Sequence, residues 1–242
     1  MAEIKTQAIV IKSTEYKESG RALTLFSIDH GLMYAKIQGV AKPKAKLAFA
    51  AQTFCFGEYV LVEKYGYTVT NCTQIENFYD LSADFDKFVA GSGILEVVSV
   101  LARQGEGNPQ LFLLMLKALK MLTYTKAQPL AVVIKFLIEA LKNAGFGLEL
   151  QRCVRCKDAA PIKERFSFAL GGRVCSLCAD GESVPIASGE VAVLKNIDAA
   201  EFEDLTRLKF LNLDNLVSAL KILIKYFFDK TEVNLSGLVE YL

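Results

Sequence analysis

Four cysteines stand in two close pairs, Cys153/Cys156 and Cys175/Cys178, in the pattern C-x2-C-x18-C-x2-C. No other feature restricts the fold of this chain as tightly. Two cysteines three positions apart across a tight turn aim both sulfurs at one ion, and a second such turn completes a tetrahedron. The spacing falls in the window of a four-thiolate zinc site. Between the pairs, residues 157–174 carry Pro161, Gly171, Gly172 and a strand-like run Arg165-Phe166-Ser167-Phe168, which suits a small hairpin under a metal clip. That stretch has too few apolar residues to order itself without a metal. Two disulfides, a redox pair and coincidence are the other readings. A tetrahedral site with four thiolates has no open position for water or substrate, so it is structural rather than catalytic.

The function must therefore come from the rest of the chain. Its 242 residues have room for two domains, or one domain with an appendage, and 52% are apolar, enough for a sizeable core. The net charge of +1 gives no bulk attraction to nucleic acid, so any such attraction has to be local. The start, Met1-Ala2-Glu3-Ile4-Lys5, is charged and is not followed by an export-signal apolar run. Residues 111–122 are the most apolar stretch, but Lys117 and Lys120 interrupt it and it is too short to span a bilayer. The expected setting is the reducing cytoplasm, with no membrane, which weighs against disulfides. Cys55 and Cys72 lie in apolar strand-like segments and read as small core residues.

The first third reads as five short strands: residues 8–11, 21–29, 32–39, 53–64 and 68–78, with turn signals at Ser19-Gly20, His30-Gly31 and Gly66. Met33, Ala35 and Ile37 alternate with Tyr34, Lys36 and Gln38. Five strands with room for a short helix in residues 40–52 match the plan of an OB barrel, although an SH3-like barrel would read similarly. From about Asp80 the pattern turns helical. Ser82 is a cap candidate for the first helix, which Gly91 and Gly93 weaken. Asn108-Pro109 opens a second helix, Pro129 a third that ends near Gly145, and Ser188 a fourth; residues 201–209 and 214–229 follow. The expected fold class is thus α+β and multi-domain. An OB-type barrel (residues 1–79) precedes an all-α domain (residues 80–242), into which the four-cysteine module (residues 147–180) is inserted.

Residues 31–57 contain no acidic side chain, yet hold Lys36, Lys42, Lys44 and Lys46 with Tyr34 nearby. Cations that track phosphates, beside a ring that can stack on a base, suit a groove for single-stranded nucleic acid; ordinary solvated lysines are the plainer reading. Arg152, Arg155, Lys157, Lys163, Arg165 and Arg173 surround the cysteines, either to touch a polyanion or to offset thiolate charge. After Cys178 there are eleven acidic and six basic residues, so that stretch should face away from a polyanion. Catalytic constellations are missing: the one histidine, His30, sits in an Asp-His-Gly turn, and neither a phosphate loop with its lysine nor G-x-S-x-G occurs.

The order of parts resembles the bacterial RecO family of recombination mediators. Residues 9–19 (Ile-Val-Ile-Lys-Ser-Thr-Glu-Tyr-Lys-Glu-Ser), Leu23-Thr24-Leu25-Phe26 with His30-Gly31-Leu32, and Gln38-Gly39-Val40-Ala41-Lys42-Pro43-Lys44 resemble that family's start and basic loop. Residues 147–153, Phe166-Ser167-Phe168 and residues 171–175 resemble its metal module. The basic loop departs from the family pattern in carrying lysines and Ala45 where arginine and serine are expected. The resemblance implies a non-enzymatic DNA repair protein, associated with the nucleoid, that binds single- and double-stranded DNA and anneals complementary strands. It further implies help in loading the RecA recombinase onto strands coated by single-strand-binding protein. RecR and the C-terminal tail of single-strand-binding protein are the implied partners, the RecA filament an indirect one, and structural Zn2+ the implied cofactor. The tail would need an apolar pocket rimmed by cations such as Lys117, Lys120, Lys135 or Lys142. DNA contacts would fall to Lys36, Lys42, Lys44 and Lys46, with Tyr34 as stacking platform and Arg21 and Lys12 in second rank. A zinc-containing transcription regulator is the alternative, but no basic recognition helix is present. A metallo-hydrolase would need an open metal position and a general base.

Overall fold

Alternating apolar and polar residues build the first half. The computed structural model describes residues 2–158, 163–210 and 212–241, so Pro161 lies outside the described residues. Five strands, β1 (Ala2–Tyr16), β2 (Gly20–Ser27), β3 (Gly31–Ile37), β4 (Phe56–Glu63) and β5 (Tyr67–Glu76), close into a barrel in the order β1-β2-β3-β5-β4. β1 is twice used, pairing antiparallel with β2 from Ala8 onward and with β4 from Ala2 to Ile9. A register shift between Val10 and Lys12 bends it from one partner to the other. A short parallel contact of β3 with β5, Ala35 opposite Tyr67, closes the OB-type barrel. Its core is Ala8, Val10, Leu23, Leu25, Met33, Ala35, Ile37, Tyr59, Leu61 and Val69, joined by Cys55 and Cys72. Between β3 and β4 the expected short helix is one 3₁₀ turn, Phe49–Ala51, and the hydroxyl of buried Tyr59 donates to Ala50 O at 3.0 Å.

The helices follow as α1 (Phe85–Leu101), α2 (Pro109–Tyr124) and α3 (Pro129–Asn143). Asn108 Oδ1 accepts from the Leu111 N–H at 3.0 Å, and Gln128 Oε1 from Leu130 at 2.6 Å, each just ahead of the helix-opening proline. One expectation fails here, and the helix that its glycines were expected to weaken is whole. Ser82 does not cap α1, because it lies in a 3₁₀ turn, Tyr79–Ala83, with its hydroxyl donating to Tyr79 O at 2.7 Å. The glycines do not break α1: the side chain of Leu238 occupies the space beside Gly93, so close packing offsets the lost helix propensity.

The cysteine module adds β6 (Arg165–Ser167), β7 (Gly172–Val174) and β8 (Val184–Pro185), a sheet ordered β7-β6-β8. Then come α4 (Ser188–Ala199), α5 (Leu213–Thr231) and α6 (Ser236–Tyr241). The helix expected over 201–209 is only a 3₁₀ turn, Phe202–Thr206. The chain forms two compact units, one from Met1–Asp84 and Val98–Leu116, the other from Phe85–Val97 and Lys117–Leu242.

Candidate metal centre and nucleic-acid interface

Each cysteine pair sits on a backbone turn that points its sulfurs inward. The Lys157 N–H donates to Cys153 O at 2.9 Å, and the N–H groups of Cys178 and Ala179 both reach Cys175 O, at 3.0 and 2.9 Å. All four sulfurs lie within 4.8 Å of one another, with Cys156 Sγ and Cys175 Sγ 3.8 Å apart. Metal–sulfur bonds of about 2.3 Å around a tetrahedral zinc ion imply sulfur–sulfur edges of roughly 3.8 Å. The Cys156–Cys175 separation matches that edge, and the 4.8 Å bound puts the other sulfurs within about 1 Å of it. The Cys175 N–H donates to Cys153 Sγ at 3.4 Å. Burial opposes ionising Cys153, yet the backbone N–H groups of Cys156, Cys175 and Arg155 outweigh it and hold the thiol at about 6. Hydrogen bonding with the Cys175 and Cys156 thiols pushes Cys178 up to about 12. Four sulfurs this close cannot all be thiolates unless a cation stands between them.

The arginines around the cluster are mostly committed to internal partners. Buried Arg173 donates through Nη1 to Leu150 O at 2.7 Å and Gln151 O at 3.0 Å, and forms an ion pair with Glu164. It thereby ties the approach to the first cysteine pair to β7. Arg155 meets Asp180 at 3.1 Å, joining the two turns, Arg152 meets Glu149 at 3.8 Å, and Arg165 donates to Ser183 O. Phe166 packs on Phe168 and edge-on to Tyr226, with centroids 5.3 and 5.9 Å apart, which seats the hairpin on α5.

On the barrel, outward residues of three adjacent strands form rows. Lys12 faces Thr24, which faces Tyr34; Thr14 faces Ala22, which faces Lys36. These residues line an open groove of ≈ 320 Å³, and none of its lining residues is acidic. Tyr34 is 56% exposed. Lys42, Lys44 and Lys46 are exposed on the loop after β3, where Lys44 adopts φ 62°. Arg21 lines a different pocket, with Ser13, Val40, Ala41, Ala48 and Gln52. The seven candidate residues thus divide into a groove set (Lys12, Tyr34, Lys36), a loop set (Lys42, Lys44, Lys46) and Arg21 by itself.

Sequence reasoning missed Tyr16. Its ring has the ammonium groups of Lys36 and Lys17 at 5.1 and 5.5 Å from its centroid. The signal was its place two and four residues beyond Thr14 and Lys12 on the same strand face. The candidate rim lysines of the helical part fare less well. Lys135 is 4% exposed, bound to Glu139 at 2.8 Å and Asp198 O at 2.9 Å, and cannot rim a pocket. Lys117 is held by Glu203 at 3.2 Å. An apolar groove with two lysines lies instead on α5 and α6, lined by Lys221, Ile224, Lys225, Phe228, Asn234 and Val239.

Against known proteins, residues 1–78 match the family "Recombination protein O N terminal" and residues 82–235 match "Recombination protein O C terminal". The chain belongs to the RecO family. A DNA repair protein RecO from Acetivibrio thermocellus is 30% identical over 208 residues, 85% of this chain and 83% of that one. One from Pelotomaculum thermopropionicum is 32% identical over 194 residues, covering 79% and 75%. One from Desulforamulus reducens is 30% identical over 236 residues, covering 93% and 90%. No helix among the described residues is long and apolar enough to cross a membrane.

Proposed function

We propose that this chain is a non-enzymatic DNA repair and recombination mediator. In this reading the barrel (residues 1–79) holds single- and double-stranded DNA and anneals complementary strands, and the helical part (residues 80–242) meets partner proteins. The observation that carries it is the groove of Lys12, Tyr34 and Lys36 without an acidic lining residue, beside an exposed loop with three lysines. Annealing brings two polyanions together, so the protein must lower their repulsion while leaving base edges free. Lysines that grip phosphates on one strand do this without reading sequence. The cysteine cluster holds a structural zinc ion, which fixes the hairpin on α5 and takes no part in bond breaking.

Family membership supports a role in helping to load RecA onto strands coated by single-strand-binding protein, with RecR as co-mediator. The acidic, apolar-tipped tail of single-strand-binding protein fits the groove on α5 and α6 by charge and polarity: Lys221 and Lys225 at the rim, Ile224 and Phe228 in the wall. The deciding experiment is a strand-annealing assay with fluorescently quenched oligonucleotides. The wild-type chain should accelerate annealing, a K42A/K44A/K46A triple variant should lose most of the effect, and a tail peptide should bind K221A/K225A weakly. Undiminished annealing by the triple variant together with K12A/K36A would show that the barrel is not the DNA-holding part.

A further inference from the structure

The groove on β1–β3 has a floor of small residues. On the outward face of β2 stand Gly20, Ala22 and Thr24, opposite Tyr16, Thr14 and Lys12 of β1. On its other side β3 raises Lys36 and Tyr34. At Gly20 a Cβ would lie 2.8 Å from Tyr16 O and 3.0 Å from Ile37 O. Only glycine fits between these carbonyls, and its missing side chain opens the middle strand so that Tyr16 and Lys36 meet across it. From the other direction comes Lys17, held at φ 54° in the turn between β1 and β2, a conformation a lysine rarely adopts. That turn brings its ammonium back toward the Tyr16 ring.

Two ammonium groups thus converge on one phenol, and among the described residues neither lysine forms an ion pair. Lys36 first, then Lys17, hold the Tyr16 hydroxyl below its ordinary pKa. Like charges drawn together beside a hydroxyl donor, with neither lysine ion-paired to a carboxylate among the described residues, suit an anion. At the far end of the same groove the Tyr34 ring is exposed, and among the described residues no ammonium group lies over it. The two tyrosines stand four residues apart along β2, about 13 Å at 3.3 Å per residue.

We propose that Tyr16, Lys17 and Lys36 form a phosphate clamp at one end of the groove, and that the Tyr34 ring is a base platform at the other. A strand lying along β2 then places one phosphodiester against the two ammonium groups and the Tyr16 hydroxyl, and stacks an unpaired base on Tyr34. The ligand is single-stranded DNA, with a phosphate at the clamp and an unpaired base on the platform. A duplex can use the clamp but not the platform. This assignment rests on the barrel being the DNA-holding part.

The test is fluorescence anisotropy of the full chain with a labelled single-stranded oligothymidine and a labelled hairpin duplex, across a salt series. Y16F keeps the ring and removes the hydroxyl; it should weaken binding to both DNAs about 2- to 12-fold. K17N removes the charge while asparagine tolerates the turn conformation; it should lower the single-strand salt slope by about 0.7. Y34A should weaken the single strand about 5- to 150-fold with little effect on the duplex, and Y34F should bind as wild type does. K44A, on the loop, separates the two levels of the argument. If K44A weakens binding but Y16F and K17N do not, the clamp is wrong and the DNA reading stands; if none of the variants changes binding, the DNA reading itself fails. An equal loss on both DNAs for Y34A would overturn the platform.

Discussion

Arg173 is the side chain on which the cysteine module most depends, and its removal makes a sharp test. Its side chain is 2% exposed and that of its partner Glu164 is 19% exposed. In Arg173→Ala the Glu164 carboxylate loses its counter-charge, and the carbonyls of Leu150 and Gln151 lose their donor. Stripping one partner from a buried ion pair costs about 3–5 kcal/mol. Glu164 retains some solvent, so the lower end applies, and the two carbonyls keep the total near ~3–4 kcal/mol. The module has little core of its own: Cys153, Val174 and Cys175 are its buried cluster, with Cys178 and Ala179 against it. With zinc bound as proposed, metal binding and folding would be one process there, and the cost would fall on metal affinity. At about 1.4 kcal/mol per factor of ten, roughly a 100- to 1,000-fold weaker zinc affinity is expected. A competition titration with a chromophoric chelator measures it. The paired change E164Q/R173M removes both charges and should recover most of the loss, since replacing a whole buried pair is far less costly than halving it. Zinc affinity within twofold of wild type for Arg173→Ala would refute the reasoning.

Three other perturbations probe the framework. Gly93→Val in α1 drives a side chain into Leu238 and should cost about 1–3 kcal/mol in chemical denaturation, partly restored by Leu238→Ala. Tyr59→Phe strips Ala50 O of its donor inside the barrel core; a loss of about 1–2 kcal/mol in the same assay is expected. Glu203 has its carboxyl lowered from 4.5, first by its own backbone N–H and then by Lys117. A depressed acid adds stability above its unfolded pKa and loses it as pH falls through the folded value. Glu203→Gln should thus flatten the acid limb of melting temperature against pH below about 4.5, with a change under ~1 kcal/mol at neutral pH because the pair is exposed.

Strand alternation made the barrel readable. Met33, Ala35 and Ile37 point inward as their spacing required, and Tyr34 and Lys36 point out. The cysteine spacing foretold the gathering of four sulfurs within 4.8 Å of one another, because two tight turns leave them little freedom. What escaped depends on long-range contact. Nothing near Gly93 in sequence announces Leu238, which fills the space beside it. β8 has only two residues and exists through pairing with β6, so no local pattern could signal it. Lys135 reads as a solvated helix lysine until Asp198, far along the chain, supplies a carbonyl for it. Tyr16 escaped because it counts only once Gly20 and Lys36 are set beside it in the sheet.

Neither compact unit is an uninterrupted length of chain: α1 and α2 each begin in one and end in the other. No single cut can release either intact. A chain starting at residue 80 keeps the first half of α2, with Leu111, Phe112 and Met115 buried in the whole protein, but lacks Phe26 and Phe56, on which Phe112 packs. Such a fragment would expose apolar surface and aggregate, even though every residue of its helices is present. Halves exchanged between relatives should be joined inside the loops at 102–108 and 125–128 as well as near residue 84, so that α1 and α2 each travel whole. The same threading means that loss of order in one unit unwinds helices the other needs, so heat should melt the two in a single transition.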